Sequence, residues 1–321
     1  MRWMDYSKVE LGERFVHEPP WREQFPKNWG MRAVGRIGAG LYCALGDRAD
    51  RPLGILTYHR VAVRPPALPA PLHNVTPRRF YEQLLGLKRR GFQFWALDRV
   101  LACHHSGTPV PRGVVVVTFD DGFATVCQQS LPILKDLQIP ATVFLNTAYV
   151  DTQQPFPFDA WGVAHRDEAP ADTWRPLSWM ECEELVASGL VSVGAHTHTH
   201  EDFRGRPDEF ECDVRQSAGI LRQRFQMDEV TFAFPYGSPF LGFAGGELAQ
   251  SAQSAGVSCA LTTECGLVDP QSDPYHWGRF NVFAWDTAAT LAAKLSDWYG
   301  WAPRMKKRIT AVLRCQTALS R

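Results

Sequence analysis

The chain has 321 residues, and its 34 Lys and Arg side chains balance its 34 Asp and Glu side chains, which gives no bulk attraction for nucleic acid. Its eight cysteines include no C-x-x-C pair, so neither a zinc knuckle nor a small disulfide scaffold is predicted, and reduced thiols are expected. The first residues lack the apolar core of a signal peptide. Together these features predict a cytoplasmic protein.

Residues 1–50 form a polar segment with little periodicity, and from Leu53 onward short apolar runs alternate with amphipathic segments. Strands are predicted at 53–58, 92–96, 114–119, 141–145, 191–195, 231–234 and 259–262. Helices are predicted at 77–91, 97–103, 130–137, 178–189, 210–225 and before Gly256. The alternation predicts a parallel α/β architecture, and about seven strands suit a distorted (β/α) barrel over residues 51–290.

Two carboxylates follow the most strongly β-branched predicted strand. The strand VVVVTF ends at Asp120, Asp121 and Gly122. One carboxylate can bind a metal ion while its neighbour accepts a proton from water. Asp-Gly is also a common turn pair, so the motif alone is explained equally well by a strand-to-loop turn.

Three histidines lie in five residues after the predicted strand 191–195. His196 and His200 have the i, i+4 spacing that lets two imidazoles reach one ion, and His198 is expected to point elsewhere. Two imidazoles and a carboxylate leave coordination positions open, as in catalytic zinc sites. The same ligands also suit cobalt, iron(II) or manganese, so zinc is the first but not the sole prediction.

Three motifs together resemble those of the polysaccharide deacetylases. They are TFDDG, the histidine element beginning at His196, and FAFPYG, and their order and spacing match that family. The resemblance runs roughly from Leu53 to Trp285. The early segment LTYHRV is similar to the exopolysaccharide-type branch of these NodB-like enzymes. The resemblance implies a distorted barrel that removes N-acetyl groups from sugars with the help of a divalent metal.

The resemblance also implies a role for each matching residue. The implied roles are general base for Asp120, metal ligands for Asp121, His196 and His200, oxyanion contact through the backbone N–H of Tyr236, and general acid for His59.

One position departs from the family pattern. The third motif of the family often begins with an arginine that positions the base, and here that place holds Ala233. Arg279, in the segment WGRF, is a hypothesis for the missing guanidinium.

These roles predict hydrolysis of the N-acetyl group of an N-acetylated carbohydrate, with release of acetate. Two alternatives stay open: a metal-dependent hydrolase of a non-sugar amide or ester, and an inactive glycan-binding protein.

Four tryptophans are interpreted either as rings that stack on sugars or as ordinary core residues. They are Trp161, Trp174, Trp179 and Trp285.

The sequence pattern predicts a basic amphipathic helix at the C-terminal residues 291–321. From Lys294 onward, seven Lys and Arg residues accompany one acidic residue, Asp297. Such a helix can contact an anionic membrane surface from the cytoplasm, or pack on the barrel. The sequence leaves the oligomeric state and the role of residues 1–50 undefined.

Overall fold

The fold is built on a curved parallel sheet, seen in a computed structural model that describes residues 29–46, 49, 52–63, 65, 67–71 and 73–298. The strands are β1 Leu53–Tyr58, β2 Arg60–Val61, β3 Asn74–Val75, β4 Gln93–Phe94, β5 Val114–Phe119, β6 Ala141–Leu145, β7 Val191–Ala195, β8 Thr231–Ala233, β9 Cys259–Leu261 and β10 Phe280–Asn281. Seven of them run in the order β10-β1-β5-β6-β7-β8-β9, and β4 also pairs with β5. Strands β2 and β3 form a separate parallel pair.

Helices surround this sheet. They are α1 Trp29–Leu45, α2 Pro77–Lys88, α3 Leu97–Ser106, α4 Leu131–Leu137, α5 Ala160–His165, α6 Trp179–Ala187, α7 Pro207–Phe225, α8 Gly246–Ser254 and α9 Ala288–Leu295. Two side chains cap helix N-termini: Thr76 caps α2, and Ser178 forms a capping box with Glu181 at the start of α6.

The predicted distorted barrel of about seven parallel strands is confirmed. Every residue of β1 and β5 is buried, because helices or loops cover both faces of a parallel sheet. The ladder pairs β1 with β5 along its full length, from Leu53 opposite Val114 to Tyr58 opposite Phe119. The predicted strand at 92–96 is shorter than expected, since only Gln93–Phe94 pairs with β5.

The two ends of the sheet, β9 and β10, approach each other across a seam. The amide N–H of Thr262 donates to the carbonyl of Trp277 over 2.8 Å. The Nε of Arg279, which directly precedes β10, donates to the carbonyl of Thr262 over 3.1 Å. Arg279 is therefore buried at the seam and joins its two sides.

Helix α1 lies inside the segment that the sequence analysis treated as aperiodic. It packs against α9, where a Cβ added to Gly38 would meet the Cβ of Ala293 at 3.5 Å. The indole Nε1 of Trp298 donates to the carbonyl of Gly46 over 2.8 Å. The side of α1 that packs on α9 is thus narrow and is formed by small residues. The sequence therefore lacks the row of large apolar residues that would have predicted this helix.

The segment at 151–176, for which no strand or helix is predicted, is partly ordered. It contains α5 and a short 3₁₀ helix at Ala171–Thr173. Trp161 and Trp174 are buried here in a small cluster with Leu68 and Ala169. These two tryptophans are core residues.

Most of the predicted basic C-terminal helix, from 299 to 321, lies outside the described residues, as do residues 1–28. The described part of the chain contains no helix with the length and apolarity needed to cross a bilayer. The segment boundaries, the cytoplasmic location and the peripheral membrane contact stay predictions.

Candidate active site and metal centre

Polar side chains follow the carboxyl ends of neighbouring strands of the barrel. His59 comes directly after β1, Asp120 and Asp121 after β5, and His196 after β7. Tyr236 lies three residues after Ala233, the last residue of β8. Because the strands are parallel, these ends share one rim, which is where active sites form in such barrels.

Asp121, His196 and His200 form a compact group. The Oδ1 atom of Asp121 lies 3.6 Å from the Nε2 of His196 and 3.5 Å from the Nε2 of His200. The three candidate ligand atoms lie within 4.8 Å of one another. Two ligands bound to zinc at about 2.0–2.2 Å and a tetrahedral angle are about 3.3–3.6 Å apart, so the spacing fits one divalent ion.

The imidazole of His196 is fixed in the orientation that a ligand needs. Its Nδ1 lies 2.7 Å from the carbonyl oxygen of Ala233. Since a carbonyl only accepts hydrogen bonds, Nδ1 carries the proton and the lone pair of Nε2 faces Asp121. The backbone of Ala233 therefore serves the site, although its side chain lacks the guanidinium of the family motif.

The imidazole of His200 is held by rings rather than by a hydrogen bond. Its buried Nδ1 has no hydrogen-bond partner among the described residues. Phe158 stacks on the imidazole with a centroid distance of 3.8 Å and an interplanar angle of 20°. Tyr236 contacts it edge-on at 4.9 Å. Packing thus replaces the polar partner that a metal-binding histidine usually has.

The protonation states of this group suit a cation. Burial and the charge of neighbouring Asp120 raise the pKa of Asp121 well above its ordinary value. Burial lowers the pKa of His196 and His200. Both imidazoles are therefore neutral, which is the form that binds metal ions, and a bound cation would offset the repulsion between the two carboxylates.

Asp120 is bound by the guanidinium of Arg279. Nη1 and Nη2 of Arg279 donate to Oδ1 and Oδ2 of Asp120 over 2.7 and 2.9 Å. Burial alone would raise the pKa of Asp120, but its neighbours bring it to about 2, and Arg279 contributes most through its charge and its hydrogen bonds. Asp120 is consequently ionised at neutral pH, and its oxygens are oriented by a planar partner. The structure thus brings together the two residues that the sequence analysis paired as a hypothesis.

His59 stacks on a second histidine that the sequence analysis did not identify. The rings of His59 and His73 are 4.6 Å apart at 22°. The pairing of β2 with β3 places Arg60 opposite Asn74, so the preceding residues His59 and His73 are also neighbours. Burial and His73 lower the pKa of His59 to about 3, with Asp120 opposing them.

Backbone strain is concentrated at this rim. Asp121, Thr197, His200 and Tyr236 have φ values of 70°, 65°, 59° and 60°. A non-glycine residue in this left-handed region costs about 1–3 kcal/mol, and such residues cluster at functional sites.

In the part of the chain that the structure describes, no oxygen accepts a hydrogen bond from the Tyr236 amide N–H.

Other residues support the site without any clear signal in the sequence. The buried guanidinium of Arg60 forms an ion pair with Asp159, next to the Phe158 that packs on His200. The local signal in the sequence is the apolar pair Phe156 and Phe158, which lies in the segment at 151–176 where no strand or helix is predicted. His198 faces away from the ligand group, as predicted, and its Nδ1 lies 2.9 Å from the Thr147 hydroxyl.

Comparison with known proteins gives one consistent result. The family model for polysaccharide deacetylase matches residues 107–260. The poly-beta-1,6-N-acetyl-D-glucosamine N-deacetylase of Staphylococcus epidermidis is 24% identical over 265 residues, which cover 77% of this chain and 83% of that protein. The structure of IcaB from Ammonifex degensii superposes with a TM-score of 0.62 at 26% identity, covering 77% of this chain and 97% of that one.

A longer relative is matched over part of its length. The poly-beta-1,6-N-acetyl-D-glucosamine N-deacetylase of Escherichia coli strain K12 is 25% identical over 219 residues. The match covers 59% of this chain but 30% of that protein. The similarity therefore concerns less than a third of the longer relative.

Proposed function

This chain belongs to the polysaccharide deacetylase family, and from that premise we propose that it hydrolyses the N-acetyl group of an N-acetylated sugar with a divalent metal ion. The substrate class is a polysaccharide, an oligosaccharide or a lipid-linked glycan, and the products are acetate and an amino sugar. One observation supports this most strongly: an ionised, oriented carboxylate, Asp120, adjoins the group of Asp121, His196 and His200.

The three ligands would hold the ion, with zinc as the first choice and cobalt, iron(II) or manganese also compatible. When bound, a divalent ion polarises the amide carbonyl and favours loss of a proton from water. Two imidazoles and one carboxylate leave positions open for substrate and water, as in other hydrolytic zinc sites. Names of the relatives support N-acetylglucosamine polymers as the substrate class.

Asp120 is the general base in this proposal. The bidentate contact with Arg279 keeps its carboxylate ionised and fixes its direction. A carboxylate with such a low pKa is a weak base. A base that is held in the correct position nevertheless typically raises the reaction rate by a factor of about 10²–10⁴. Arg279 acts through Asp120 as a positioning residue.

Tyr236 and His59 complete the proposed machinery. The unpaired N–H of Tyr236 is available to the negative oxygen that develops on the attacked carbonyl, where one donor is typically worth about 10²–10³ in rate. His59 donates a proton to the departing amine. Because its pKa is about 3 in the free protein, His59 is neutral at rest, and the proton that it gives to the amine is the one that Asp120 has taken from water.

The experiment is a substrate panel with acetate release as the readout. N-acetylglucosamine oligomers, simple acetamides and acetyl esters are each incubated with the protein, with and without a chelator. Release of acetate from the oligomers, abolished by chelator and restored by a divalent ion, is the expected result. Turnover of acetamides or esters alone would identify the non-sugar hydrolase instead.

An inactive glycan-binding protein stays conceivable because Ala233 cannot position the base. The guanidinium of Arg279, directly before β10, reaches the base instead and disfavours this alternative. A binder also has no need for a buried carboxylate oriented beside a metal site.

A further inference from the structure

A buried arginine lies close to the metal centre. The side chain of Arg60 has a relative exposure of 1% and forms an ion pair with Asp159. Its Cζ atom lies 4.1 Å from the ring centroid of Phe123 and 5.3 Å from that of Trp161. The Nε of Arg60 has no hydrogen-bond partner among the described residues. Burying an ion pair costs about as much as the pair returns, so stability alone does not account for this arginine.

The ion pair joins the barrel to the segment at 151–176. Arg60 begins β2, whereas Asp159 lies in the segment, directly before α5. Trp161, whose ring faces the same guanidinium, donates from its Nε1 to the carbonyl of Pro69 over 2.8 Å. The guanidinium therefore contacts both the carboxylate and a ring of this segment, and it fastens the segment to the barrel.

A line of rings leads from the guanidinium to a metal ligand. Phe158, the neighbour of the paired aspartate in sequence, stacks on the imidazole of His200 at 3.8 Å. Phe156 stacks on Phe158 at 5.0 Å and meets the ring of Phe123 edge-on, also at 5.0 Å. Phe123 is the ring that lies against the guanidinium of Arg60. The ring on His200 is thus held through the adjacent aspartate and through its aromatic contacts.

The charges of the pair act on the metal site with opposite signs. Burial and the charge of Asp120 raise the pKa of Asp121. The positive charge of Arg60 opposes this rise, and the negative charge of Asp159 adds to it. Removing the arginine charge alone would leave a carboxylate unpaired, which strengthens the attraction for a cation. A fall in metal affinity after such a substitution therefore reports lost position and not lost charge.

We propose that Arg60 is a positioning residue for metal binding. Through its pair with Asp159, it holds the ring of Phe158 on His200. This inference rests on the proposed function, because it concerns the same metal site. Since the Nδ1 of His200 has no hydrogen-bond partner among the described residues, the stacked ring restrains the plane of the imidazole. Loosening the segment lets the imidazole turn, so that its Nε2 faces Asp121 for less of the time.

The test is the zinc affinity of folded variants, measured by competition with a chelating dye. Arg60→Met is expected to bind zinc about tenfold more weakly than the wild type, because a group that orients a metal-bound histidine is typically worth about 10–100-fold. Arg60→Lys keeps the charge but not the planar fork, so a loss of about threefold is expected. Arg175→Met is the matched control, because Arg175 forms a largely buried ion pair with Glu181 at the other end of the same segment. The control is expected to keep the wild-type affinity.

Two further readouts separate positioning from a general loss of stability. In the Phe158→Ala background, Arg60→Met should leave the zinc affinity almost unchanged, since the ring through which the arginine acts is gone. Cobalt(II) serves as a spectroscopic probe, because its visible absorption depends on the arrangement of its ligands. Its bands should shift in Arg60→Met and stay as in the wild type in Arg175→Met.

Unchanged zinc affinity in folded Arg60→Met, an equal loss in the Arg175→Met control, or losses that add to that of Phe158→Ala would each overturn the positioning role. If Arg60→Met does not fold, Arg60→Lys takes its place, and wild-type affinity in that variant would overturn the role as well. A wild-type protein that binds zinc but releases no acetate from N-acetylated sugars would defeat the proposed function and leave the positioning role standing. Absence of zinc and cobalt binding by the wild type would defeat both.

Discussion

Replacing Arg279 by methionine removes the guanidinium while keeping a side chain of similar length. Both partners of the Arg279–Asp120 pair are almost fully buried, with side-chain exposures of 0% and 3%. The substitution leaves the carboxylate of Asp120 buried without its main partner. A neutral variant, Asp120→Asn, removes that unpaired charge, so the two changes form a double-mutant cycle.

The size of the effect follows from burial. Breaking a buried pair by removing one partner costs about 3–5 kcal/mol, a large share of a total stability of about 5–15 kcal/mol. In the Asp120→Asn background, the same arginine substitution leaves only neutral groups, and its cost falls to about 1–3 kcal/mol. The cycle should therefore give a coupling free energy of about 2 kcal/mol.

Urea unfolding measures the free energies, and acetate release measures turnover. Arg279→Met is expected to lower kcat about 10²-fold or more, since the base loses its orientation. Arg279→Lys keeps the positive charge but not the bidentate contact, so its kcat should lie between those of the wild type and Arg279→Met. Additive free energies within about 0.5 kcal/mol, or turnover of Arg279→Met within a few-fold of wild type, would refute the positioning role.

Three further predictions concern the supporting structure. Phe158→Ala removes the ring stacked on His200, so metal affinity should fall about 10–100-fold in a competitive chelator titration, and unchanged affinity would show that the stack is dispensable. Burial raises the pKa of Glu181, but hydrogen bonds from Arg175 outweigh burial and lower this pKa below its ordinary value. The ionised carboxylate therefore stabilises the fold above about pH 4.3, and this stabilisation is lost as the pH falls through the lowered pKa. Glu181→Gln should therefore destabilise the fold by about 1 kcal/mol near pH 7 in thermal unfolding and by less near pH 3; an equal loss at both pH values would contradict this. Gly194→Ala would place a Cβ 2.7 Å from the Phe144 ring, so about 1–3 kcal/mol of stability should be lost, whereas a wild-type melting temperature would show that the ring can yield.

Strands with a continuous apolar run could be predicted from the sequence with their full bounds. β1, β5, β6 and β7 begin and end where the pattern places them, because a buried parallel strand needs apolar residues on both faces. The short strand pair β2–β3 was missed, since two-residue strands carry no periodicity. His73, which that pair places beside His59, was missed with it.

The candidate site was predictable where its residues are adjacent in sequence. Asp120 with Asp121 and His196 with His200 each form a local pattern. The contact between Asp120 and Arg279 spans 159 positions, and it could be proposed from the sequence only through the gap at Ala233. The stacking of Phe158 on His200 depends on how the segment at 151–176 folds over the rim, which no local pattern encodes.

The central claim is that Asp121, His196 and His200 hold one ion while Asp120 performs chemistry beside it. Metal content by mass spectrometry and acetate release, measured on Asp120→Asn and His200→Ala, test this most directly. The account predicts that Asp120→Asn retains one ion per chain without turnover, whereas His200→Ala loses the ion. Wild-type metal content and wild-type turnover in both variants would contradict it.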